Sequence, residues 1–331
     1  MKMFSFPHVV IYELMKQFEP PGLIGLSLCS KKAHAFVKTF SKARDVNVQL
    51  SFDHHRYFVS YPGDFLMIAM SNEISHVLVD NSNLKTAHGL SYGSDNSGNL
   101  LTCWPDVVHG CRESTNYVCE ILKVPVSTVY AHEDQRVWML DFAQQRQEQR
   151  LKNVYALDFR TSAEYYSRIL SCNATERLEI SPMPPRDYRF DGKLSAARTL
   201  IIYQGFWITR EHLLGLESVN ASLRCTRLRS ADINALLLSW LNGGLPNLKY
   251  LDIHGEIYDI QIYEGVRDRL EPVRGVISYK CEEVFKFKTN TVKFNSNAFH
   301  IRREDNFVVT VKIEGNFFTM VVWPDSNGNR V

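Results

Sequence analysis

Apolar residues recur at helical spacing through the first forty positions of the chain. Ile11, Leu14, Met15 and Phe18 fall three and four residues apart, on one face of a helix that Pro7 can open without losing a hydrogen bond. Glu19-Pro20-Pro21 ends that helix, because the residue before a proline is pushed out of helical geometry. The same prolines start a second short helix, which Leu23, Ile24, Leu26 and Leu28 make apolar nearly all round. Ser30 can cap a third, whose buried stripe is Ala33, Phe36, Val37 and Phe40. Helices of about ten residues are marginal alone. The second needs more apolar surface than two neighbours provide. Such a segment either joins an ordinary core or shows a hydrophobic face to a partner, and a docking face is the expectation.

Beyond residue 45 the period shortens. Residues 46–50 alternate like a strand, 65–70 and 76–79 are apolar runs, and the latter is expected to be a strand. Residues 81–99 are polar and glycine-containing and read as a surface loop. They lack the Gly-Lys-Ser/Thr ending of a phosphate loop. Apolar stretches follow at 119–124 and 137–142, the second helical in character. The polar run 144–150 reads as a solvated turn; its two arginines have no interleaved aromatic platform of the kind nucleic acid requires.

From residue 151 a weak repeat begins. Strand-like cores lie at 156–159, 177–180, 199–202, 222–225 and 250–253, with leading leucines Leu157, Leu178, Leu200, Leu223 and Leu251 at intervals of 21, 22, 23 and 28 residues. Helices are predicted between them at 163–170, 209–216 and 230–240, with Asp232 supporting the first turn of the last by its charge. A strand of Leu-x-Leu character followed by a helix at this period is the pattern of leucine-rich-repeat-like solenoids, because each unit buries its leucines only against its neighbours. An ordinary α/β domain with chance spacing is the alternative. Trp207 and Trp240 are expected to pack within or between repeats, and Gly243-Gly244 to stop a helix. Alternation returns at 284–288, 307–313 and 316–323. The last two predict antiparallel strands joined by a hairpin at Glu314-Gly315, after a turn at Arg302-Arg303-Glu304-Asp305, and they could cover the open end of the repeat.

Composition narrows the function. The 331 residues are 45% hydrophobic and 22% charged, as in globular proteins, and the net charge of +2 is too mild to suggest nucleic acid as a partner. Seven cysteines, an odd number at wide spacing with no Cys-x-x-Cys pair, fit reduced thiols in the cytoplasm or nucleus better than a disulfide framework or zinc knuckle. No signal peptide is read, and no apolar run is long enough to span a membrane. Among eleven histidines there is no His-Glu-x-x-His, and no Gly-x-Ser-x-Gly elbow occurs. A metal site on His109 and Cys111 with Cys103 or Cys119 is the one alternative the spacing leaves; no metal, cofactor or catalytic residue is expected.

Two segments resemble a known family. Phe6-Pro7, the following helix, and Gly22-Leu23-Ile24-Gly25-Leu26-Ser27-Leu28-Cys29-Ser30-Lys31 resemble the F-box, most of all the F-boxes of nematode proteins. Two departures are Phe at position 6, where the family has Leu, and Gly22, where an acidic residue is commoner. Further on, Gly205-Phe206-Trp207-Ile208-Thr209-Arg210-Glu211-His212-Leu213-Leu214 and Ser239-Trp240-Leu241-Asn242-Gly243-Gly244-Leu245 are similar to the F-box-associated domain, type 2. The resemblance implies an α/β chain: a short three-helix F-box over 3–44, a connecting α/β region over 45–150 continuous with the solenoid, a degenerate leucine-rich-repeat-like solenoid over 151–270, and an antiparallel β element over 271–325. It implies a non-catalytic adaptor of a Skp–cullin–F-box ubiquitin ligase. Such a protein would bind a Skp-family adaptor, and through it cullin, by Phe6, Pro7, Ile11, Leu14, Leu23, Leu26 and Leu28, and would hold a target protein with the solenoid. An interaction module that keeps the F-box but joins no ligase is the alternative.

Overall fold

The computed structural model of the chain describes residues 6–43, 46–53, 56–61, 64–70, 85–87, 90–94, 100–131, 137–157, 160–281, 291–325 and 327–331. The fold is mixed α/β, with eight α-helices among the described residues. The chain divides into two compact units, Met1–Leu151 and Lys152–Val331. The strand runs expected at 76–79 and 284–288 lie outside the described residues.

The first unit opens with α1 (His8–Gln17), α2 (Pro20–Leu28) and α3 (Lys31–Phe40). Pro20 and Pro21 fill the first two positions of α2, where neither N–H would have had a partner. The helix therefore opens at Pro20, where the proline pair was expected to start it, and Gly22 lies inside its first turn. Ser30 caps α3, its Oγ accepting from the Ala33 N–H at 3.1 Å. Then come β1 (Val48–Asp53), β2 (Arg56–Tyr61), β3 (Asp64–Met70), β4 (Lys85–Ala87), β5 (Leu90–Ser94), β6 (Leu100–Trp104), α4 (Val107–Leu122), β7 (Val126–Tyr130) and α5 (Trp138–Arg146). β4 and β5 form an antiparallel pair within the stretch expected to be a loop. The strands order as β7-β1-β2-β3-β6-β5-β4.

α4 lies on β2, β3 and β6 and also packs on α2 and α3. Asp106 caps it by accepting from the Val108 and His109 N–H groups. This helix is what the N-terminal helices rest on. Ser27 Oγ in α2 donates to the Ile24 carbonyl at 2.7 Å and accepts from the Tyr117 hydroxyl of α4 at 2.6 Å. At the far end Lys123 Nζ donates to the Ser41 carbonyl at 2.6 Å while Ser41 Oγ donates to the Ile121 carbonyl at 3.1 Å. α1–α3 and the region after residue 45 thus share one compact unit.

The second unit contains β8 (Asn153–Ala156), α6 (Ala163–Leu170), β9 (Arg177–Ile180), β10 (Thr199–Ile202), α7 (Arg210–Leu214), β11 (Asn220–Leu223), α8 (Ser230–Leu241) and β12 (Tyr250–His254). It continues with β13 (Leu270–Pro272), β14 (Ile277–Lys280), β15 (Thr291–Phe294), β16 (Ala298–Arg302), β17 (Val308–Glu314) and β18 (Phe317–Val322). β8 to β12 run parallel, each beside the next in sequence. β18 then joins β12 antiparallel, followed outward by β17, β16 and β13. The hairpin between β17 and β18 turns at Gly315, whose φ of 62° suits glycine.

Two lateral rows of side chains form the core. One runs Val154, Leu178, Leu200, Ala221, Leu251, Met320; the other runs Ala156, Ile180, Ile202, Leu223, Ile253, Phe318. Every member is buried. Leu178, Leu200 and Leu251 share the first row, and Leu223 sits two residues along, in the second. Leu157 lies beyond the end of β8 and is exposed; Val154 takes the place in the first row. The physical reason is that residue spacing counts the loops as well as the strands, so a period of about 21 does not fix which residue of a strand meets its neighbour.

Candidate functional site

The N-terminal surface is built from α1 and α2. Ile11 and Met15 turn inward from α1, and Leu23, Ile24 and Leu28 do so from α2, all buried within the first unit. The outward side of α1 is mixed: the exposed Glu13 and Lys16 pair with each other, and apolar side chains gather at the helix's N-terminal end. Val9 is 74% exposed, Val10 43% and Phe6 38%, with Pro7 exposed beside them and Leu14 half-buried. Val10 and Leu14 lie four residues apart and so share one edge of the helix, and Phe6 precedes it. α2 adds the half-buried Leu26 and the exposed Gly22 and Gly25; a Cβ at Gly25 would meet nothing within 4 Å.

Of the seven residues expected to meet an adaptor, Phe6, Pro7, Leu14 and Leu26 therefore reach the surface. Ile11, Leu23 and Leu28 do not: they are buried, the first in α1, which packs on α3, and the other two in α2, which packs on α3 and α4. Val9 and Val10 are the outward residues that helical spacing overlooked. The periodicity marks which residues share a face, and the more hydrophobic face was assigned to a partner although the chain itself covers it.

Trp207 and Trp240 are both buried. Trp207 sits among Tyr166, Tyr188, Phe190 and His212, edge-on to all but none stacked, and donates through Nε1 to the Tyr166 hydroxyl at 3.3 Å. Trp240 is covered by the Arg303 guanidinium 4.8 Å from its ring, and Arg303 Nη1 also donates to the Trp240 carbonyl at 3.0 Å. Both act as packing for the helices over the two core rows.

The opposite face of the parallel strands is polar. Arg177 and Glu179 pair at 2.9 Å within β9, and the Tyr203 hydroxyl donates to Glu179 at 3.3 Å. Part of this face is covered near β12, where Tyr279 of β14 donates to the Lys249 and Val322 carbonyls and packs on Trp323.

Nucleophile chemistry finds little support among the described thiols. Burial pushes Cys111, Cys172 and Cys281 up to about 12 and Cys119 up to about 11, which keeps them protonated. His109 sits edge-on to Trp104. Among the described residues no group of three or more His, Cys, Asp or Glu side chains is placed to hold a metal ion. The Cys103 side chain lies outside them. No helix among them is long and apolar enough to cross a membrane.

Residues 193–253, which span β10 through β12 with α7 and α8, match the F-box associated family. No curated protein and no solved structure matches the chain.

Proposed function

Because the chain carries an F-box-associated domain, whose family consists in general of non-catalytic adaptors, we propose that it recruits targets to a Skp–cullin–F-box ubiquitin ligase. In this reading α1, α2 and α3 form the F-box, the first unit docks on a Skp-family adaptor and through it on cullin, and the second unit holds a target protein. The parallel ladder β8–β12 is then a degenerate leucine-rich-repeat-like solenoid, ended by β18. Catalysis is by proximity: holding a target beside the charged conjugating enzyme raises the effective concentration of its lysines.

The observation that carries the reading is the combination of the family match over 193–253 with an N-terminal helix whose outward residues Phe6, Val9 and Val10 stay in contact with water. Large apolar side chains exposed together on one short helix mark an interaction surface. With Leu14 and Leu26 at its margin the patch has the make-up of an interface centre.

The test is a binding titration of the full chain with a purified Skp-family adaptor, followed by cullin. Saturable binding that Val10→Asp removes supports the reading. Adaptor binding without cullin recruitment supports an interaction module outside the ligase. Undiminished binding by Phe6→Ser/Val10→Asp rejects the α1 surface as the docking site.

A further inference from the structure

The strand ends of β10, β11, β12 and β18 carry a second row of side chains, on the polar face and outside the hydrophobic core. Register pairs Ile202 with Leu223 and Leu223 with Ile253, so the next residues, Tyr203, Arg224 and His254, are also lateral neighbours; Phe317 is paired directly with His254. All four side chains are planar. The Arg224 guanidinium lies 5.4 Å from the Tyr203 ring centre, and the His254 and Phe317 rings stack at 4.6 Å. Tyr203, Arg224 and His254 are half-buried and Phe317 is 46% exposed, so the row is both held in place and open to solvent.

The turn that follows β11 adds charge. Arg224-Cys225-Thr226-Arg227-Leu228-Arg229 holds three arginines in six residues. Cys225 stands at φ 50°, a left-handed conformation uncommon for a residue with a side chain, and the Thr226 N–H donates to the His254 carbonyl at 2.9 Å. The turn is thereby fixed against the end of β12. Arg227 is exposed and lies 5.5 Å from the centre of the Phe206 ring. The neighbouring carboxylates already have cationic partners: Glu256 meets Arg229 at 3.4 Å, and Asp232 meets Arg210 at 2.8 Å.

We infer that this strand-end row and its arginine turn form the target-recognition surface, and that they take an acidic segment carrying an aromatic or aliphatic residue. The exposed Arg227 guanidinium stands against the Phe206 ring, a contact that orders it before binding and suits it to pair with a carboxylate. The exposed Phe317 ring offers the apolar contact. Rigid aromatic residues beside arginine are the composition that dominates interface energetics. This inference rests on the recruiting role proposed for the second unit.

The experiment uses the full chain and three fluorescein-labelled peptides of ten residues with a central Phe, rich in Glu, in Gln or in Lys, read by fluorescence anisotropy. The Glu peptide is expected to bind about tenfold or more tighter than the Gln peptide, and the Lys peptide weakest. Arg227→Glu and Phe317→Ser, both at exposed positions, are each expected to weaken the Glu peptide about tenfold while leaving the thermal midpoint and Skp-adaptor binding unchanged. Equal affinity for the three peptides, no binding of the Glu peptide, or affinity untouched by Arg227→Glu overturns the inference. Because no Skp adaptor is present, peptide binding retained by a chain that fails to bind that adaptor would reject the ligase reading and leave this surface standing.

Discussion

Leu23→Ala and Val10→Asp should separate the packing of the N-terminal helices from the docking proposed for them. Leu23 is completely buried beneath α2, where the packing with α3 and α4 leaves no room for collapse. Removing its isobutyl group forfeits the transfer energy of the lost atoms and opens a cavity, a loss of about 3 kcal/mol for a site of this kind. In a unit the size of Met1–Leu151 that lowers the thermal midpoint by roughly 6–12 °C. Val10 is 43% exposed, so Asp there changes folding stability by about 0.5 kcal/mol or less. As an interface anchor, however, it places an unpaired charge in an apolar contact. Loss of about 2 kcal/mol of binding is about a thirtyfold rise in Kd. The assay is thermal unfolding by near-ultraviolet circular dichroism beside calorimetric titration with a purified Skp-family adaptor. Leu23→Ala should lose stability and, at a temperature where it is folded, keep its affinity to within about threefold; Val10→Asp should do the reverse. If Leu23→Ala keeps its midpoint but loses the adaptor, the assignment of Leu23 to the interior is wrong. If Val10→Asp loses both, the exposed edge of α1 is structural.

Gly110→Ala should destabilise the first unit by about 1–3 kcal/mol, because the new Cβ would stand 2.3 Å from Trp104 Cγ; a shift in the urea midpoint at constant slope reads it. Iodoacetamide at pH 8 should label Cys29 and Cys225 and spare Cys111, Cys119, Cys172 and Cys281 in the folded chain, as peptide mass spectrometry will show. Asp325 gives the second unit an acid-sensitive anchor. Burial pushes its carboxyl up, but the Asn329 side chain and the Asn329, Lys280 and Asn327 N–H groups outweigh it and hold the carboxyl below its ordinary value. Its stabilising effect is therefore complete above the ordinary carboxylate range and lost as pH falls through the lowered value. Asp325→Ala should destabilise the chain at pH 7 and make little difference near pH 2, measured by denaturant midpoints at both.

The parts that were legible in the amino-acid order are those where local chemistry decides the outcome. Prolines at 20 and 21, the Ser30 cap and the spacing of Ala33, Phe36 and Val37 mark α2 and α3 within two residues. α6 and α8 were visible for the same reason. α4 was hidden. Its first buried residues, Gly110, Cys111, Ser114 and Thr115, are small and carry little hydrophobic signal, and the large ones, Tyr117, Ile121 and Leu122, come only after them. α4 supplies part of the surface that α2, apolar nearly all round, needs, and Leu23 and Leu28 are buried in α2. The strand repeat was legible as a repeat, yet its register depends on pairings between distant residues, which is why Val154 rather than Leu157 begins the first row. The Tyr203–Phe317 row was beyond reach for the same reason: its members are neighbours only after β18 returns to β12.

That return also sets a timetable for synthesis. Both core rows pass from β12 onto Met320 and Phe318, on a strand about 70 residues later in the chain. During translation β12 emerges first, with its outer edge and the ends of both rows uncovered. At ordinary elongation rates the ribosome needs roughly 3–14 s to deliver the strand that closes them. Through that interval the nascent chain carries an open parallel-sheet edge lined by Leu251 and Ile253, the form most prone to pair with the wrong neighbour. A message truncated anywhere between β12 and β18 would make that interval permanent, and its product would be a client of chaperones and proteases.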